Sequence, residues 1–171
     1  MSGYHKTAIV ALLATSVGGS AWLASAAFAV VPTWNGRYAV TFAATEKTGT
    51  SIAAIKPEGN SVVDYGFSSS CSPGTCVATA YDAPPPKNPY VPRPINYTWN
   101  GSQWVRITTW QWDCLLPNGT IEYDPAKSVV AFTPQANGTL TGVFHTDISS
   151  GACQGNVDMP VSAAPAQSPV I

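Results

Sequence analysis

The chain has 171 residues, a formal net charge of −1 at pH 7 and only 10% charged residues. Its eight Lys and Arg are scattered, so no basic patch could follow a phosphate backbone, and nucleic acid is not an expected partner. The length suits a single domain with one hydrophobic core.

The first 29 residues predict a secretory signal peptide. His5 and Lys6 precede an apolar stretch over residues 8–29, which ends in an Ala-x-Ala sequence at 27–29. Signal peptidase needs small residues at the −3 and −1 positions, so we expect cleavage after Ala29.

An uncleaved membrane anchor is the alternative, because about 20 apolar residues can just span a bilayer. Gly18-Gly19-Ser20 interrupts the apolar run, however, and the cleavage sequence ends it. We therefore expect a secreted domain over residues 30–162 and a disordered tail over 163–171. After cleavage no membrane span is expected, and the protein should lie in the cell envelope or the extracellular medium.

Alternation of apolar and polar residues dominates the chain after the signal and predicts β-strands rather than helices. In chain order the predicted strands cover residues 38–44, 62–68, 76–81, 97–99, 103–114, 128–133, 140–148 and 153–161. Only residues 45–55 have any prospect of forming a helix, and that segment is short and rich in Thr.

Asn-Gly, the dipeptide most typical of tight hairpins, occurs at 35–36, 100–101, 118–119 and 137–138. Roughly eight strands with turn signals between them predict an all-β antiparallel meander that forms either a closed barrel or a sandwich. A closed barrel is slightly favoured because closure removes exposed strand edges.

Residues 83–94 include six prolines and cannot pair inside a sheet. We expect a stiff, extended segment. It is either a long crossover between two parts of the sheet or a docking segment for an aromatic-walled groove.

All four cysteines follow the predicted signal, and an even number in an oxidising compartment predicts two disulfides. Pro73-Gly74 is typical of a tight turn that would bring Cys71 against Cys76, which leaves Cys114 to pair with Cys153. Zinc ligands usually come as two close pairs, whereas only one close pair occurs here, so no metal site is expected.

The one histidine after the signal, His145, lies on a predicted strand, and no nucleophile motif accompanies it. We expect it to be a sheet-face histidine without a catalytic role. Asp113, Asp147 and Asp158 could supply the paired carboxylates of a glycoside hydrolase, but nothing in their spacing brings two of them together.

Trp99, Trp104, Trp110 and Trp112 fall within fourteen residues. The last three share one face of a predicted strand with Arg106. This stripe either fills the core or faces a ligand, since Trp can stack on sugar rings or line a lipid pocket.

The candidate ligand-binding residues are Trp99, Trp104, Arg106 and Trp110. Within the stripe we expect partial exposure for Trp104, which is close to the Asn100-Gly101 turn, and burial for Trp112, which is close to Cys114.

Several segments resemble a family of small secreted mycobacterial proteins of unknown function. They are Thr33–Gly36, Gly74–Thr79, Trp99–Val105, Trp110–Cys114, Phe144–Ile148 and Gly151–Gly155. The resemblance spans the predicted mature chain and implies export from an actinobacterium. More loosely, the short β-rich design with Trp and Cys is similar to the extracytoplasmic domains of mycobacterial receptor kinases, which implies a sensing or binding role.

We therefore interpret the chain as a monomeric, non-catalytic binding module for an envelope lipid, glycan or protein, with no cofactor. One alternative is an extracellular hydrolase that uses Asp113, Asp147 or Asp158. Another is a structural secreted protein without a small-molecule ligand. A lined cavity would favour binding, a packed interior would favour the structural role, and two carboxylates in a cleft would favour the enzyme.

Overall fold

Eight antiparallel strands close into a barrel in the computed structural model, which describes residues 31–166. The strands are β1 (Gly36–Phe42), β2 (Ser61–Ser72), β3 (Thr75–Tyr81), β4 (Ile95–Trp99), β5 (Trp104–Leu115), β6 (Ile121–Pro134), β7 (Leu140–Ile148) and β8 (Gly155–Pro165). Each strand pairs with the next, and β8 pairs with β1. The predicted antiparallel meander of eight strands is confirmed, and it forms a barrel. The predicted signal peptide, residues 1–29, lies outside the described residues.

Strand alternation sorts the side chains of the barrel into an inner and an outer set. On β6 the even-numbered residues from 124 to 132 are buried, whereas the odd-numbered residues between them are exposed or half-buried. Successive side chains of a strand point to opposite faces, so each strand supplies the interior with every second residue.

Three of the four Asn-Gly dipeptides lie in the predicted hairpins, between β4 and β5, β5 and β6, and β6 and β7. At the first of them Gly101 has a φ of 105°, which favours glycine, and the Asn100 side chain accepts hydrogen bonds from the backbone of Ser102 and Gln103. Asn35-Gly36 instead begins β1, where Asn35 accepts a hydrogen bond from the backbone N–H of Ser69.

Both predicted disulfides are confirmed. Cys71 and Cys76 are directly opposite on β2 and β3 and are bonded across the turn. Cys114, near the end of β5, is bonded to Cys153, which precedes β8. The second bridge closes a loop with a sequence separation of 39.

The barrel has two cores, one toward each end. We call the first the aromatic core; it contains Trp34, Phe67, Tyr97, Trp104 and Phe132. Trp34 belongs to no strand, yet its ring stacks on Phe67 with 4.0 Å between centroids and 17° between planes. Trp34 therefore plugs one end of the barrel from the segment before β1.

We call the second the disulfide core, because the Cys114–Cys153 bridge lies in it with small and branched apolar side chains. Ala53 and Ala54 pack there from α1 (Ile52–Ile55), which is capped by the Ser51 hydroxyl. The helix predicted within residues 45–55 is thus a single α-turn, preceded by a 3₁₀ turn over Ala44–Glu46.

The seam between β4 and β5 is the most weakly closed part of the barrel. Strand β4 pairs only with the beginning of β5, through Thr98–Val105 and Trp99–Trp104. The rest of β5, as far as Leu115, has no pairing with β4. The proline-rich segment, residues 83–94, joins β3 to β4 and lies beside the rest of β5. Because β3 and β4 pair directly, the segment is a long hairpin loop and not the predicted crossover between two parts of the sheet. There Asn88 Nδ2 donates to the carbonyl of Gln111 at 2.8 Å.

Strand β8 continues to Pro165, three residues into the predicted tail of residues 163–171. Ala163 is 0% exposed, and Tyr38 on β1 is the register partner of Pro165. Since proline has no N–H, it fits the last position of a strand. Residues 167–171 lie outside the described part of the chain, and no helix in the described part is long and apolar enough to cross a membrane.

Candidate functional site

The barrel contains a partly open cavity of about 590 Å³, which we call the barrel cavity. Its walls are inward side chains of β1 to β7, and the proline-rich segment covers the seam side. The lining is mainly aromatic and aliphatic, with a few polar groups. Both the volume and the lining are typical of a small-molecule site.

A second cavity of about 350 Å³ lies toward the disulfide core, and we call it the lower cavity. Glu58, Trp110 and Phe144 line both cavities, so the two adjoin. The Trp110 indole is fixed by donating from Nε1 to Ser128 Oγ at 2.8 Å, and Ser128 in turn bonds Thr146 at 2.7 Å. This buried polar pair holds the ring as a wall between the two spaces.

The predicted stripe on β5 does face inward, and its members have different surroundings along the barrel. Arg106 and Trp110 line the barrel cavity, and Trp112 lines the lower cavity. Trp104 lines neither cavity and lies in the aromatic core. Trp99 is opposite Trp104 in the register and packs half-buried against the same core.

The predicted exposures of Trp104 and Trp112 are wrong. Trp104 is 0% exposed, whereas Trp112 is half-buried. The end of the barrel beside the Asn100-Gly101 turn is not open, because Trp34 and Phe132 pack on Trp104 there. Of the four candidate ligand residues, Arg106 and Trp110 alone border the cavity.

Arg106 is the polar group of the stripe. Burial lowers the pKa of its guanidinium, Tyr97 and Tyr65 oppose this, and the positive charge of Arg93 lowers the pKa further. Nη2 of Arg106 donates to the carbonyl of Pro92 at 2.7 Å, which ties the proline-rich segment to β5. None of the ion pairs formed within residues 31–166 includes Arg93 or Arg106.

A carboxylate that lines both cavities, Glu58, is already paired. Its Oε2 lies 2.6 Å from Nζ of Lys47, whose side chain is only 4% exposed. Lys87, Arg93 and Arg106 also line the barrel cavity. With Glu58 neutralised by Lys47, the charge around the barrel cavity is positive.

His145 lies outside the cavities, on the outer face of β7 and β8. Its Nδ1 is 2.6 Å from Asp158 Oδ1, and its Nε2 is 3.1 Å from Asp147 Oδ1. Two of the carboxylates weighed for a hydrolase therefore do come together, contrary to expectation. Asp147 lies on the same strand face as His145, and Asp158 lies opposite His145 on β8. The sequence did not reveal this contact because it does not specify the register of β7 with β8.

This cluster does not line either cavity. Asp113 lies apart from it, in the wall of the lower cavity, where its Oδ1 accepts a hydrogen bond from Asn88 Nδ2 at 3.3 Å. Paired carboxylates in glycoside hydrolysis act across a bond held in a cleft. His145, Asp147 and Asp158 instead meet on the outer face of the sheet, outside both cavities.

The His145 cluster predicts a pH dependence of stability. The hydrogen bond with Asp158 raises the pKa of His145, burial opposes this, and Asp147 raises the pKa further. Because the folded pKa is above the ordinary value of about 6.5, the stabilisation is present below pH 6.5 and is lost as pH rises through the folded pKa.

We therefore expect His145→Gln to lower the free energy of unfolding more at pH 5.5 than at pH 8.5, as measured by urea unfolding. The side chain is 37% exposed, so the pH-dependent part should stay below about 1 kcal/mol. An equal loss at both pH values would contradict the raised pKa.

Within residues 31–166 one group of side chains could in principle hold a metal ion, Cys114, Asp124 and Cys153, but these side chains are engaged in structural bonds. The two cysteines are joined to each other, and Asp124 Oδ2 accepts a hydrogen bond from the backbone N–H of Cys153 at 2.9 Å. These contacts stabilise the loop before β8.

Comparison with solved structures finds a similar fold in the monomer form of a sensor domain. The monomer form of the M. tuberculosis PknI sensor domain has a TM-score of 0.58 and 21% sequence identity, over 80% of this chain and 89% of that chain. The dimer form has a TM-score of 0.47 and 21% identity, over 98% of this chain and 96% of that chain. No curated protein matches this chain in sequence.

Comparison with protein families gives a match over residues 31–168, to the PknI serine/threonine-protein kinase sensor domain. The match covers the whole barrel and the segment that carries Trp34. It confirms the looser resemblance to the extracytoplasmic domains of mycobacterial receptor kinases. The chain belongs to the PknI serine/threonine-protein kinase sensor domain family.

Proposed function

We propose that this chain is a non-catalytic sensing or binding module that works outside the cytoplasm and holds its ligand in the barrel cavity. Membership of a kinase sensor-domain family supports the sensing role and the extracytoplasmic location. The observation that carries the proposal is the cavity of about 590 Å³ inside the barrel, lined by aromatic and aliphatic side chains around Arg106. Export follows cleavage of the signal peptide after Ala29, and the module acts as a monomer.

The cavity exists because the barrel is not filled evenly along its axis. The aromatic core fills one end with large rings, and small side chains surround the bridge in the disulfide core at the other. Between them β4 is short, and a proline-rich segment that cannot join the sheet takes the place of a strand. The interior there is therefore partly enclosed without being packed.

The two alternatives have less support. A structural secreted protein without a ligand would need a packed interior, which the two cavities oppose. A hydrolase would need two free carboxylates facing each other in a cleft, whereas Asp147 and Asp158 meet on the outer face of the sheet. Glu58 and Asp113 both line the lower cavity, but Glu58 is bonded to Lys47 and Asp113 accepts a hydrogen bond from Asn88.

Filling the barrel cavity should abolish ligand binding. Val63 lines it from β2, so Val63→Trp places a large ring in the space that a ligand would occupy. The neutral apolar probe N-phenyl-1-naphthylamine should fluoresce with the wild type, and binding should fall at least tenfold in Val63→Trp.

The matched control is Val62→Trp. Val62 is the next residue on β2, is 63% exposed and does not line the cavity, so probe binding should stay within twofold of the wild type. Equal losses in the two variants, or no binding to the wild type, would contradict a ligand site in the barrel. Native mass spectrometry of protein from its own host would show any ligand retained there.

A further inference from the structure

Two arginines and an aromatic interior surround the same cavity, and together they point to a class of ligand. We propose that the barrel cavity binds an anionic amphiphile, with a carboxylate or phosphate headgroup on Arg106 and Arg93 and an apolar chain directed toward Trp110. This inference rests on the proposed function, because it names the ligand of the same cavity.

The charges favour an anion. Arg93 and Arg106 both line the cavity and repel each other, and neither forms an ion pair within residues 31–166. Glu58, the carboxylate in the cavity wall, is bonded to Lys47. Arg106 is half-buried, and partly buried charges are normally paired, so an anionic headgroup would supply the partner that the protein does not. Arg93 is exposed and adds a second positive charge at the same wall.

The hydrogen-bond donors also favour an anion. A guanidinium has five N–H donors, and within the described residues Arg106 uses one of them, toward the carbonyl of Pro92. Arg93 uses two nitrogens, toward the carbonyls of Ala83 and Pro84. The remaining N–H groups leave room for the bidentate contacts that carboxylates and phosphates make with Arg.

The cavity wall between the arginines and Trp110 suits an apolar chain. Arg106 lies in one cross-strand row with Val130 and Phe144, both of which line the cavity. Trp110 is two inward positions farther along β5, about 13 Å away at 3.3 Å per residue. Thr108 lies between them on β5, and Val130, Phe144 and Trp110 supply the apolar contacts for a chain that runs from Arg106 to Trp110.

The headgroup is tested with two ligands that share a chain, dodecanoate and dodecanol, each measured by displacement of N-phenyl-1-naphthylamine. The wild type should bind dodecanoate at least tenfold more tightly than dodecanol. Arg106→Gln should weaken dodecanoate about tenfold, while dodecanol and the neutral probe stay within twofold. Lys127→Gln, which removes an exposed cation from β6 outside the cavity, should change none of the three.

Arg93→Gln provides a second variant if Arg106→Gln does not fold, and it should also weaken dodecanoate selectively. Equal affinity of the wild type for the two ligands would overturn the proposal, as would equal losses for both in the Arg variants. In either case the proposed function would stand, provided that the neutral probe still binds and Val63→Trp still blocks it. Failure of the neutral probe to bind the wild type would instead remove the proposed function.

Discussion

Replacing Trp104 by alanine should destabilise the domain by about 3–5 kcal/mol, because the side chain is completely buried and its loss leaves a cavity. Its ring packs against Trp34 and Trp99, with centroids 6.2 Å and 5.3 Å away, in a core that cannot collapse without moving several other rings. Urea unfolding of the variant and the wild type measures the difference.

Trp112→Ala is the matched control, since Trp112 lies on the same face of β5 but is half-buried beside the lower cavity. It should cost clearly less than Trp104→Ala. Trp104→Phe should also cost less than the alanine variant, because it keeps an aromatic ring and removes an indole N–H that has no hydrogen-bond partner among residues 31–166. Equal costs for the alanine variants would contradict the aromatic core described here.

Removing the Cys114–Cys153 bridge should cost about 4 kcal/mol, since it frees a loop of about 40 residues in the unfolded chain. Removing Cys71–Cys76, which closes a turn with a sequence separation of 5, should cost only about 2 kcal/mol. Double alanine variants suit both comparisons because they leave no unpaired thiol.

Urea unfolding of the two double variants gives the difference. The longer bridge should show the larger effect for a further reason, because both of its cysteines are almost fully buried in the disulfide core. A larger loss on removal of Cys71–Cys76 would contradict this assignment of stability.

The features predictable from the sequence were those set by neighbours along the chain. Alternation at period two determined the strands and the inward face of β5, and Pro73-Gly74 and Asn100-Gly101 marked turns that the structure contains. These signals are local, because side chains of a strand alternate whatever the strand packs against.

The features that the sequence did not reveal depend on residues far apart in the chain. Trp104 is buried because Trp34 packs on it across the barrel, 70 positions away in sequence. The meeting of His145 with Asp158 depends on the register of β7 with β8. Neither strand alternation nor turn chemistry specifies such pairings, and for this reason the sequence predicts the relative exposure of Trp104 and Trp112 wrongly.

The plug formed by Trp34 also determines where this domain begins. A shortened chain that starts at Gly36 would still contain the residues of every strand. It would lack the Trp34 ring, which stacks on Phe67 and packs against Trp104. A domain boundary placed at the first residue of β1 would therefore leave out at least two residues that belong to the domain, Trp34 among them. The family match, which starts at residue 31, includes the segment that the core needs.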